Sequence, residues 1–203
     1  MNPEQIDALV REQGPFVFDR MFETMEKVGE RLERVCHALG KANIPYAVVG
    51  GNAVAAWVST RDEGAIRNTQ DVDILLRTED FDAASSVLRG VGFIPDHVVD
   101  ATKFRDGVDG KPSQAVHVVW AGKKIRTHHL TPAPMSDQVR DLAGKRVIDL
   151  VELVRMKLNS FRDKDRVHLR DLIGVELIDS TWPEKFAPQL NERLQSILDD
   201  PDG

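Results

Sequence analysis

Asp71 and Asp73 are separated by a single valine at the head of an apolar run, in the stretch "RNTQDVDILLR" at residues 67–77. In an extended chain, residues two apart share a face, which puts these Cα atoms about 6.6 Å apart at a rise of about 3.3 Å per residue. Carboxylates on a strand that reads as buried are costly unless positive charge meets them. Hard divalent cations take oxygen ligands and commonly use one or two carboxylates together with substrate phosphates. The spacing therefore points to Asp71 and Asp73 as ligands of Mg2+, with Mn2+ as a substitute. A second feature precedes them: Gly50 and Gly51 close the apolar run "YAVVGG". Without side chains they let a phosphate approach the backbone, whose N–H groups at the start of a following helix would face it. Taken singly, each feature has an ordinary explanation: a turn for the glycines, a cap or loop for the acids.

Local patterning predicts the elements that must position these groups. Apolar residues from Phe18 to Leu39 recur at three- and four-residue steps, one face of a helix, with Gly40 as its stop. "IPYAVVGG" reads as a strand, "NAVAAWVS" as a short helix capped by Asn52, residues 59–70 as a loop and "DVDILLR" as a second strand. "TEDFDAASSVLRGVGF" reads as a helix capped by Thr78. "FIPDHVVDATKFRDG" and "AVHVVWAG" supply further strands, the latter free to pair in either direction. After "TPAPMS" the pattern is helical: "VIDLVELVRMKLNSF", "KDRVHLRDLIGVELI" and "PQLNERLQSILDD". The expected architecture is α/β (α+β), a small mixed sheet with flanking helices and a C-terminal helical subdomain. The expected division is an N-terminal helical segment at 1–43, a core at 44–135 and the helical remainder at 136–203, with 131–136 as hinge.

Composition narrows the function classes. The chain has 203 residues, 41% hydrophobic and 30% charged, as in an ordinary globular protein, and is long enough to bury a core. A net charge of −6 argues against a dominant nucleic-acid footprint, though not against a local basic patch. The single cysteine, Cys36, forms no intrachain disulfide and supports no Cys-based zinc site. No secretory signal pattern opens the chain, and the longest mostly apolar run, 46–58, is too short to span a bilayer. A cytoplasmic protein with no membrane partner is expected.

In combination the motifs are more specific. "VVGG" followed by a short helix and then "DVDI" resembles the nucleotidyltransferase superfamily related to DNA polymerase beta. The lead-in "RNTQDVDILL" is similar to the Arg-x-Thr-x-Asp-x-Asp form of AbiEii-like and related bacterial nucleotidyltransferases, and "LVELVRMKLNSFRDKDRVHLRDL" to the helix-loop-helix that follows their core. The resemblance covers residues 44–175. It implies that Asp71 and Asp73 hold magnesium bridging a nucleoside triphosphate, that Gly50, Gly51 and Asn52 hold phosphates, and that a nucleotidyl group passes to an acceptor (protein, RNA or small molecule) while pyrophosphate leaves. It also implies that Lys157, which interrupts the apolar stripe Leu150, Val154, Phe161, reaches the triphosphate. The bland alternative is a packed stem with its ammonium snorkelling to water.

One departure matters. Most active members of that superfamily carry a third carboxylate on a neighbouring strand, and here "AVHVVW" presents His117 at that place. An imidazole can ligate a metal or act as a base near neutral pH, but it brings no negative charge. Two readings of His117 stay open, a catalytic residue or a hydrogen-bonded histidine within a sheet, and Asp106 or Asp109 are alternative third acids. Arg67 and Thr69 either steer phosphate or fix the loop. The charge run 162–171 reads as a solvated face with internal pairs, in which Asp165 can orient Lys157. His128 and His129, being adjacent, point differently and make a poor metal pair, while Lys123, Lys124 and Arg126 lie near enough to contact an acceptor or simply occupy a surface turn. The competing function is a catalytically degenerate nucleotide- or partner-binding protein. A glycosyltransferase, and lower still an Asp-x-Asp phosphatase, rank behind both.

Overall fold

A computed structural model of the protein describes residues 3–98, 101–111 and 114–201. Seven strands form one mixed sheet: β1 (Tyr46–Val49), β2 (Val72–Leu76), β3 (Phe93–Val98), β4 (Ala101–Asp106), β5 (Val116–Trp120), β6 (Val139–Leu142) and β7 (Lys145–Ile148), in the order β3-β4-β5-β2-β1-β7-β6. The helices are α1 (Pro3–Lys41), α2 (Gly50–Val58), α3 (Phe81–Gly90), α4 (Leu150–Ser160), α5 (Asp163–Gly174) and α6 (Pro188–Asp199). No helix among the described residues is long and apolar enough to cross a membrane.

Central strands β1 and β2 are antiparallel, whereas β2–β5 and β1–β7 are parallel. Both β1 and β2 are almost continuously apolar, as strands covered on both faces must be. The faces separate by parity. Tyr46 donates its hydroxyl to the Cys36 carbonyl, so α1 lies over the Tyr46 and Val48 face, with α3 beside it. Val49 and its cross-strand partner Asp73 belong to the other parity, which looks toward α2, α4 and α5.

Several local expectations are corrected. Helix α1 extends well beyond 18–39, and Asn43, in the left-handed conformation at φ 54°, turns the chain after it rather than Gly40. Its stripe is buried only from Val28 onward through Leu32, Val35 and Leu39; Phe22 is exposed, and the side chains of Phe18 and Met21 lie outside the described residues. Asn52 does not cap α2, which begins two residues earlier at Gly50. Thr78 does not cap α3, because a 3-10 turn over Thr78–Asp80 leads into that helix.

The largest correction falls on 139–148, read above as part of an all-helical remainder. These residues form the β6–β7 hairpin and complete the sheet. Helix α4 starts only after Asp149, whose carboxylate accepts from the Val151 N–H. Residues 131–136, read as a hinge, are tied down: Asn159 of α4 accepts from the Leu130 N–H at 2.7 Å and donates to the Thr131 carbonyl at 2.7 Å, and Ala133 exchanges backbone bonds with Lys123 and Gly122.

Candidate functional site

At the β1–α2 junction Gly50 adopts φ +70°, a conformation that side chains resist. A Cβ there would overlap Asp73 Oδ2 and lie 2.8 Å from Asp73 Cγ, so the turn is seated directly on the Asp73 carboxylate. A Cβ on Gly51 would lie 2.6 Å from Thr69 Oγ1. Both glycines are therefore required by close approach, one to an acid and one to the loop that carries Asp71. Asn52 reinforces the junction, donating from Nδ2 to the Asp71 carbonyl at 2.7 Å. Its side chain holds the Asp71 backbone, a role its sequence position does not reveal.

Asp73 lies within β2 and Asp71 immediately before it, and both line a cleft of about 750 Å³ with Gly50, Gly51 and His117. Parallel pairing sets His117 of β5 directly opposite Asp73 of β2. Asp106 and Asp109 are not in the cleft wall: Asp106 is held by Arg31 and Arg34 of α1, and Asp109 sits exposed in the turn after β4. Burial raises the Asp73 pKa above the ordinary carboxylate range and the charge of Asp71 adds to this, while His117, Lys157 and Lys164 act in the opposite sense. Neither Asp71 nor Asp73 forms an ion pair with another described residue.

Across the cleft, α4 and the start of α5 form a second wall with Lys157, Asp165 and His168. Lys157 is 5% and Asp165 1% exposed. The ammonium does not snorkel to water; it lies 3.3 Å from Asp165 Oδ1 and 2.8 Å from His168 Nδ1. Burial lowers the Lys157 pKa, and the neighbouring Asp165 charge opposes the shift. Burial would by itself raise Asp165, but hydrogen bonding to Arg162 and the charge of Lys157 hold it below its usual value. His168 is pushed down to about 4 by burial and by Lys157, so it is a neutral ring at pH 7 that accepts from the ammonium through Nδ1 and carries its proton on Nε2.

Arg67, on the loop before Asp71, makes a two-pronged ion pair with Asp171 of α5, both contacts at 3.0 Å. It lines the cleft and ties the Asp71 loop to the helix wall. The charge run 162–171 is thus not simply a solvated face: Asp165 and Asp171 turn inward, while Arg166 and Asp163 pair on the surface. Ile125, Arg126 and His129, from the β5–β6 connection, close the cleft, whereas Lys123 and Lys124 stay outside its lining. His129 is buried and His128 exposed, as adjacency predicts. His168 was not singled out by sequence; its only signal is an i, i+3 relation to Asp165 on one helix face.

The donor set fits a divalent cation shared with a ligand. Two acids sit on one wall, the half-buried Asp73 among them in no ion pair, and among the described residues no cluster of three or more His, Cys, Asp or Glu could hold a metal on its own. Mg2+ characteristically takes one or two carboxylates and completes its shell with water and phosphate oxygens.

No family model and no curated protein matches the sequence. Solved structures do match in fold. An antigenic nucleotidyltransferase-like protein from Paracoccidioides brasiliensis superposes with a TM-score of 0.55 at 19% identity, over 87% of this chain and 90% of that one. ANT(2'')-Ia, solved in complex with adenylyl-2''-tobramycin, matches with a TM-score of 0.51 at 13% identity, over 83% and 97%. The polyadenylate synthase of Megavirus matches with a TM-score of 0.52 at 10% identity, over 88% of this chain and 39% of that one. Strand order, the glycine junction and the paired acids thus sit on a shared scaffold: this chain has the nucleotidyltransferase fold.

Proposed function

We propose that the protein is a metal-dependent nucleotidyltransferase that moves a nucleotide from a nucleoside triphosphate to a hydroxyl-bearing acceptor, of the bacterial AbiEii-like kind suggested by "RNTQDVDILL". The observation that carries this reading is the Gly50 turn seated on Asp73. It brings bare backbone at the start of α2 and a half-buried carboxylate in no ion pair to one spot in the same cleft. Phosphates would rest on the Gly50–Gly51 backbone, with Asn52 holding the Asp71 segment behind them. Asp71 and Asp73 would hold Mg2+ or Mn2+, which when bound supplies charge neutralisation on the donor phosphates.

In the reaction an acceptor oxygen attacks the α-phosphorus, the bond to the bridging oxygen breaks and pyrophosphate leaves with that bond's electrons. His117, in register with Asp73, is the candidate to take the acceptor proton. Lys157 is held by Asp165 and His168 in the opposite wall, where its charge faces the polyphosphate. The neighbours differ widely, one solved with adenylyl-2''-tobramycin and another a polyadenylate synthase, so the acceptor is not carried over. A reducing cytoplasm suits the buried free thiol of Cys36.

Incubation with labelled nucleoside triphosphates, Mg2+ or Mn2+ and candidate acceptors tests the reading. Label transfer that is lost in Asp71→Ala and Asp73→Ala is the expected result. Because His117 stands where relatives carry a third acid, a second reading is a binder without chemistry. Metal-dependent triphosphate binding with no transfer under either metal would select it.

A further inference from the structure

One imidazole in the cleft wall, packed edge-on against the ring of His128, uses neither of its ring nitrogens in a hydrogen bond to the described residues. His129 is 3% exposed, and both its ring nitrogens are buried with no hydrogen-bond partner among the described residues. A neutral imidazole carries one donor and one acceptor, and leaving both unmade in the interior costs free energy. Loose packing does not explain it. The His129 N–H donates to the Arg126 carbonyl at 3.1 Å, and the next two residues are pinned to the buried Asn159 of α4. The chain holds an unsatisfied ring in a fixed place on the wall of a cleft.

We infer that His129 binds a terminal phosphate of the triphosphate, an inference that rests on the donor reading above. The charged groups facing the ring identify the ligand class. From its own loop come His128 and Arg126, and from the α4–α5 turn comes Arg162; Asp165 of α5, the acid acting on the ring among them, is already engaged by Lys157 and Arg162. Arg126 has no acidic partner among the described residues, so this end of the cleft is net positive and suits an anion. The same cleft also holds the paired acids, for Asp71, Asp73, Lys157, Asp165 and His129 all line it, and Lys157 acts on both Asp73 and Asp165. A polyphosphate held at Asp71 and Asp73 shares that cleft with His129 and Arg126.

Burial and the adjacent cations hold the free ring neutral, its pKa lowered from the ordinary histidine range. A phosphate dianion reverses that balance: the ring gains a proton and donates from it to phosphate oxygen. Triphosphate binding is then accompanied by proton uptake. Affinity is greatest below the free ring's lowered pKa and is lost as pH rises through the ring's higher pKa in the complex.

Calorimetric titration of the full chain with α,β-methylene-ATP and Mg2+, between pH 6 and 8 in buffers of different ionisation enthalpy, reads both quantities. The expected result is proton uptake in the wild type that disappears in His129→Leu, with affinity at least about tenfold weaker, the worth of one charge-assisted hydrogen bond. The ligand-free melting temperature of His129→Leu should stay level or rise, since an unsatisfied group has been replaced by an apolar one. His129→Gln, which keeps a donor and an acceptor but cannot titrate, should recover part of the affinity without the uptake. Asp73→Asn is the control for the site itself. Binding that depends on Asp73 but is unchanged in affinity and proton uptake in His129→Leu overturns this inference alone, as does a His129→Leu protein whose melting temperature falls. Absence of any triphosphate binding by the wild type overturns the donor reading, and this inference with it.

Discussion

The strand wall and the helix wall of the cleft hold their charges in different states. On the strand wall Asp71 and Asp73 form no ion pair with any described residue, and Asp73 is half-buried. On the helix wall Lys157, Arg162 and Asp165 are matched to one another, and Asp171 is matched to Arg67 from across the cleft. A charge already paired at the cost of its hydration sets geometry, whereas one left buried and unpaired is held for something that arrives. The paired wall should therefore report on stability and the unpaired wall on ligand binding.

The sharpest way to break that contrast is at Asp165. Asp165→Asn leaves Lys157 buried with only a neutral ring and an amide for company, which should cost about 3 kcal/mol, the low end for a broken buried pair because the ammonium can shed its proton. In a chain of this size that lowers the melting temperature by about 6–12 °C, read by calorimetry. Asp73→Asn should do the reverse, leaving the melting temperature level or higher because a half-buried carboxylate whose charged form desolvation disfavours is gone. Its effect belongs to function: transfer should fall by at least about 10²-fold in a labelled-nucleotide assay. A large stability loss in Asp73→Asn, or none in Asp165→Asn, would erase the distinction between the walls.

Gly50→Ala joins the two. At φ +70° an alanine costs about 1–2 kcal/mol in backbone conformation alone, and its Cβ must displace the Asp73 carboxylate. Both the melting temperature and Mg2+-dependent triphosphate affinity should drop. Gly51→Ala should cost less, since its obstacle is the Thr69 side chain and its φ is not in the left-handed region.

How far each wall could be read from sequence follows from how local its geometry is. The strand wall is local: a strand ending in Gly50–Gly51, a short helix and a strand holding Asp73 are visible as period and punctuation, and the register of Val49 with Asp73 follows from pairing the two apolar runs. The helix wall is not. Its turn pivots on Phe161 at φ 50°, a left-handed position usually marked by glycine; here Arg166 and Arg193 lie over the aromatic ring instead. The β6–β7 hairpin was hidden for a similar reason. Its two-residue turn has Ala143 and Gly144 at positive φ, and alanine in the first place carries no hairpin signal, so "VIDLVELV" read as one helical stripe. His129 was visible only as half of an unpromising pair, because its isolation depends on Asn159, some thirty residues away, holding the next two residues.

The smallest effect is expected at His168, and its sign distinguishes a structural ring from a ligand. Its pKa falls from about 6.5 in the unfolded chain to about 4 in the folded protein. Between these values the unfolded state binds a proton that the folded state refuses, so the stability contribution is present in full above pH 6.5 and is lost as pH falls toward 4. The full difference corresponds to about 3 kcal/mol, but the ring is part-exposed and solvent screening reduces it to about 1–2 kcal/mol. Urea melts at pH 7 and pH 4.5 should show that loss in the wild type and a smaller one in His168→Gln, whose amide oxygen can still accept from Lys157. If the two proteins lose stability in parallel, the ring does not titrate against the buried ammonium, and the helix wall is less preorganised than its distances imply.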